Sequence, residues 1–377
     1  MEKLSKKGSV PTKVRKSNLE LYRIITMIAI VAHHYVAHSD YMAIGGVLDS
    51  NPLSWRAMFI AVFGAWGKIG INCFVLITGY FMCKSNITAK KFAKLFLEWA
   101  FYKLIISLIF ILTGYVELSL SAIVDLLIPI KEISRGFTAC YFIFFLTIPF
   151  LNILIKNLDE KKHIKLLLLS LFTYTLFGSL PKFSVRMNYV SWFIVLYFIA
   201  SYIRLYPKPI FEKTKIWSVM SLVTVILGAA SVIVCQAISK PRYFFVTDSN
   251  AILAVIIGVS SFMFFKNVNI KQSRFINTVS ATTFGVLCIH ANSANMTRWL
   301  WIDTLKNVEM FNSDYLVIHA FGSVLGIFII CAVIDLLRIH LIEKPFFKVW
   351  DKRWNLVLEK YEKIESKICK KFNIWGN

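Results

Sequence analysis

The chain has 377 residues, is 57% hydrophobic and carries a formal net charge of +22 at pH 7. A mean hydropathy of +0.63, with repeated apolar runs near membrane-spanning length, excludes a soluble globular enzyme and reads as a polytopic membrane protein. The positive charge suits an anionic inner leaflet and needs no nucleic acid to explain it.

Ten membrane spans are predicted, at about 19–37, 66–82, 92–114, 137–155, 164–180, 189–206, 216–236, 250–266, 277–293 and 314–338. The expected fold is therefore all-α, a bundle of about ten transmembrane helices. With the N-terminus inside, one set of alternate loops holds 31 Lys plus Arg and the opposite set 9. That asymmetry places both termini on the cytoplasmic side. The chain divides into a basic N-terminal segment, 1–18, a membrane domain, 19–342, and a basic tail, 343–377. The seven cysteines show no CxxC pair and read as buried thiols.

The first span contains Arg23, His33 and His34, and His38 follows. Ionisable groups inside a bilayer are costly and point to function. Arg23 and His34 are eleven positions apart, about three turns, so they share a helix face roughly 16 Å apart. His38 is on nearly the same face. Glu20, three residues before Arg23, is placed to neutralise it. The span is too long and too polar for a cleaved signal peptide.

In the second span, Gly67, Gly70 and Gly79 suit close helix packing. Lys68 and Asn72, at i and i+4, enter from the outer side as candidate substrate-binding residues. Lys91, Lys94 and Glu98 gather near the inner end of the third span, where Glu98 is expected to pair with Lys94. The segment 118–130 reads as a short interfacial helix. His290 falls in the outer half of the ninth span and His319 at outer depth in the tenth. Asp335 is expected to pair with Arg338. From Phe347 to Phe372 apolar residues recur at helical spacing between lysines and arginines, as in an amphipathic helix lying on the inner leaflet.

The histidines thus converge on an outer level and the basic residues on an inner one. An imidazole can take the proton of a hydroxyl as that hydroxyl attacks an acyl group. The inner cations can hold the phosphates of an acyl donor with a long thin arm. No carboxylate sits at ligand spacing beside the histidines, so no metal site is expected. GxSxG, P-loop and GxGxxG signatures are absent.

The run "LELYRIITMIAIVAHHY" resembles the first helix of the bacterial membrane acyltransferase-3 family, whose members O-acylate cell-surface carbohydrates. Its Arg and His match Arg23 and His34. "GKIGINCFVLITGYFM" resembles the family's second helix, with Thr78 in place of a Ser before Gly79 and Tyr80. "CYFIFFLTIPFLN" resembles the helix that ends at Pro149, Leu151 and Asn152, with Tyr141 where Trp is common. "SATTFGVLCIHAN" resembles the late helix ending in His290, and "IEKPFF" the element after the last span. Lys91 and Lys94 stand where many members carry an Arg pair, which keeps charge but loses the bidentate fork.

The resemblance implies no permanently bound cofactor, with acetyl-CoA or another acyl-CoA as donor and a cell-surface or lipid-linked glycan as acceptor. Arg23 would position the donor with Lys91 and Lys94 as helpers, and His34 would be general base or acyl carrier. His290 would orient it or share its proton, and Thr78 would join Lys68 and Asn72 in substrate binding. Membrane lipids are the other expected partners, and the oligomeric state is not legible. The competing reading is a transporter, such as a flippase of lipid-linked sugars. It fits ten spans with inner basic charge but lacks a matched pair of interrupted helices.

Overall fold

A computed structural model describes residues 16–43, 45–117, 119, 136–180 and 188–353. Among the described residues every regular element is helical. The principal helices are α1 (Ser17–Ala37), α2 (Trp55–Phe63), α3 (Gly67–Met82), α4 (Ala89–Leu112), α5 (Phe137–Lys156), α6 (Glu160–Leu171), α7 (Tyr189–Leu205), α8 (Thr214–Ala237), α9 (Ile252–Asn267), α10 (Arg274–Ala281), α11 (Thr283–His290) and α12 (Leu316–Arg338).

Six stretches are long and apolar enough to cross a membrane: α1, α2–α3 together, α4, α5, α8, and α12 with its continuation to Arg353. Two further expected spans, α7 and α9, are shorter apolar helices. The expected fifth span is α6 running into a wider π turn, Phe172–Leu176. The expected ninth is broken at Thr282 into α10 and α11. There the Thr282 and Thr283 hydroxyls donate to the carbonyls of Val279 and Ser280. Such back-bonding offers the backbone an alternative to the helical ladder. The expected interfacial helix at 118–130 lies almost wholly outside the described residues, as does most of the tail helix, from 354 onward.

Helix α3 sits at the centre, packed against α1, α7 and α9. The contact between α1 and α3 is close because glycines face it. A Cβ on Gly67 would stand 2.2 Å from the His33 ring, and one on Gly70 2.7 Å from Ile30. One apolar core joins α3, α5, α7 and α9. A second gathers the later part of α1 with α11, α12 and the 296–311 segment. Helix α1 contributes Leu19 and Tyr22 to the first and Met27 to Val36 to the second, so its polar face lies where the two cores meet.

Helices α4, α8 and α12 leave long apolar faces exposed, including Leu104, Leu108, Leu222, Ile226, Ile318 and Ile329. Apolar area of this extent is not sustained in water, and it fits a lipid surround. The six described cysteines are buried, and none of them forms a disulfide with another described residue. At the first residue of α6, a hydrogen bond from Lys208, with its charge, holds the Glu160 carboxyl below the usual carboxylate range.

Candidate active site on the α1 face

The end of α1 is pinned by buried hydrogen bonds. The Tyr35 hydroxyl meets His319 Nδ1 at 2.9 Å. Asn307 donates to the Tyr35 carbonyl at 3.1 Å and to Ser39 Oγ at 2.7 Å, and Tyr41 donates to the Asn307 carbonyl. These buried bonds fix the turn on which His34 and His38 stand. His33 is turned away, its Nδ1 2.6 Å from the Gly64 carbonyl.

His34 meets His290 across the bundle, Nδ1 to Nε2 at 2.9 Å. His290 is fully buried, and its Nδ1 lies 2.6 Å from the Val286 carbonyl. A carbonyl can only accept, so His290 Nδ1 carries its hydrogen. In a neutral pair, His290 Nε2 is then the acceptor and His34 Nδ1 the donor. The network thereby assigns the His34 lone pair to Nε2. That nitrogen has no hydrogen-bond partner among the described residues, and the half-buried ring stands 4.9 Å from the exposed His38 ring. Lys68 lies within electrostatic reach of His33, His34 and His38. Its ammonium donates to the Tyr189 hydroxyl at 2.7 Å.

A second polar layer lies about three helical turns back along α1. Arg23 pairs with Glu20 at 3.1 Å, as expected, and Ser280 donates to the same carboxylate. Thr78 donates to the Phe74 carbonyl at 3.0 Å, so Tyr141 donates to Thr78 Oγ across 2.8 Å. Tyr141 also feels the charge of Arg23. Arg23, Thr78 and Tyr141 therefore share a level. Phe92, Phe96, Trp99 and Phe142 form an aromatic cluster between α4 and α5, with ring separations from 5.7 to 6.2 Å.

Other candidates are placed elsewhere. Asn72 is fully buried; its amide donates to the Ser249 and Ala254 carbonyls and accepts from Trp192, so its bonds are spent inside the core. Lys91 binds Ser85 and the Asn86 carbonyl at the start of α4. Lys94 pairs with Glu343 at 2.6 Å rather than with Glu98, which meets Arg338 at 3.1 Å. The reason is burial: Lys94 is half exposed, while Glu98 turns inward. Tyr189 was not foreseen as a site residue, since an aromatic at the start of a span carries no local signal. Tyr141 stands out in the sequence only as a departure from Trp.

A family model described as an acyltransferase domain, Acyl_transf_3, matches residues 16–335. The chain belongs to the acyltransferase-3 family. No curated protein and no solved structure matches it. The matched region of this acyltransferase-3 chain contains both polar layers and the His34–His290 pair. With its apolar helices, this makes the protein a multi-pass membrane acyltransferase.

Proposed function

We propose that this acyltransferase moves an acetyl group from cytoplasmic acetyl-CoA to a hydroxyl of an extracellular or lipid-linked polysaccharide in a bacterial cell membrane. The observation that carries the reading is the His34–His290 pair, which leaves one imidazole nitrogen of His34 with its lone pair open. The loop-charge asymmetry supports ten spans with both termini cytoplasmic. On that orientation the Arg23 layer is nearer the cytoplasm and the His34 layer nearer the outside.

The acceptor hydroxyl approaches His34 Nε2 and gives up its proton as its oxygen attacks the thioester carbonyl. The C–S bond then breaks, and the departing thiolate takes the proton back from the imidazolium, giving ester and free thiol. Throughout, His34 Nδ1–H keeps its bond to His290 Nε2, so the developing positive charge is held against an acceptor that does not itself need to move. Arg23 orients the donor from the inner layer, with Tyr141 and Thr78 beside it. Lys91 and Lys94 help as a diffuse positive field, since their ammonium groups already hold local partners.

The test uses membranes with and without the protein, supplied with radiolabelled acetyl-CoA and surface glycan. Protein-dependent label in the glycan is expected. Absence of label, together with protein-dependent export of unmodified glycan, would replace this reading with a transporter.

A further inference from the structure

Lys68 is a cation with an unusual set of neighbours. It is half-buried, and among the described residues no carboxylate pairs with it. Its ammonium lies against the Tyr189 ring and hydroxyl, and its charge reaches the imidazoles of His33, His34 and His38. By contrast, Arg23 and Lys94 each hold a carboxylate and Lys91 holds a carbonyl.

An ammonium has three N–H donors and no acceptor. One N–H of Lys68 goes to the Tyr189 oxygen, 2.7 Å away. Because Tyr189 accepts there, its own O–H hydrogen is free, and it finds no acceptor among the described residues. Lys68 and Tyr189 therefore present adjacent donors with no further acceptor among the described residues, one of them charged and within electrostatic reach of His34. Holding a partly desolvated ammonium with no counter-charge is costly. An incoming anion relieves that cost, and its hydrogen bonds would be charge-assisted.

Resting on the acyl-transfer reading, we infer that the acceptor carries an anionic group, a carboxylate or a phosphate, and that Lys68 and Tyr189 bind it so that a nearby hydroxyl reaches His34. Lys68 is thus a specificity-determining residue for acidic glycans. It holds the sugar; it takes no proton.

The experiment measures oligosaccharide binding to the detergent-purified full chain, so it does not depend on turnover. The probes are a glucuronate-containing trisaccharide, a glycerol-phosphate trimer and neutral maltotriose. One or both acids should bind the wild type more tightly than maltotriose, and the tighter acid identifies the anion. Lys68→Gln should weaken acid binding by about tenfold or more without changing the neutral sugar, and Lys68→Arg should retain most of it. Equal affinities of the wild type for all three probes, or acid binding unmoved in Lys68→Gln, would overturn the inference. A parallel loss for acid and neutral sugars in that variant would do the same. Acetyl-CoA turnover by the same wild-type preparation reports on the acyl-transfer reading separately. Its absence would defeat that reading while the binding result stood.

Discussion

At the scale of single residues, the site rests on the identity of two nitrogens. The carbonyl of Val286 fixes the hydrogen on His290 Nδ1, and through it the lone pair on His34 Nε2. His290→Ala removes the acceptor that holds this tautomer. The acceptor-transfer rate should fall by about 10²-fold, in the range usual for losing one positioned acid–base partner, with acetyl-CoA binding retained. A kcat within twofold of wild type would show that His34 needs no such partner. The sequence alone placed Arg23, His34 and His38 on one face, because helical periodicity is local. Periodicity could not say that His34 and His290 touch, a contact spanning 256 positions; only the family resemblance pairs them. Nor could it tell that Asn72, one turn from Lys68, points into the core against Trp192.

At the scale of elements, close packing and buried charge hold the two layers in register. Gly67 and Gly70 let α1 and α3 approach until His33 fits over a bare backbone. The last helix is joined to the bundle by Arg338, which meets Asp335 at 2.7 Å, Glu343 at 2.9 Å and Glu98 at 3.1 Å. Tyr102 adds a bond to Asp335 at 2.9 Å. All of these charged groups are buried. Arg338→Met would leave three carboxylates facing one another with Lys94 their nearest remaining cation, and should cost about 3–5 kcal/mol. Thermal unfolding in detergent checks this, and a second change, Glu98→Gln, should restore part of the loss. An unchanged unfolding midpoint in Arg338→Met would mean that the cluster adds nothing to stability. The Asp335–Arg338 pair was legible from its i,i+3 spacing. The Glu98–Arg338 pair was not, because spacing along α4 pointed to Lys94 while burial turned Glu98 toward α12.

At the scale of the whole molecule, the all-helical membrane class was legible from apolar run length, and six helices meet the length and composition for crossing. The shorter or broken elements were harder to read, since an apolar run does not reveal a break such as that at Thr282, where hydroxyls compete for the helical carbonyls. The proposed orientation makes a direct prediction. Lys240→Cys and Lys213→Cys replace exposed residues at opposite ends of α8. In intact cells a membrane-impermeant maleimide should label Lys240→Cys and reach Lys213→Cys only after permeabilisation. The reverse pattern would invert the molecule and move the His34 layer to the cytoplasmic side.

The most direct test of the account is acetyl transfer from labelled acetyl-CoA to surface glycan by His34→Ala, in membranes where the variant is as abundant as the wild type. The account predicts label no higher than in membranes lacking the protein. Labelling equal to wild type would contradict it and remove His34 from the chemistry.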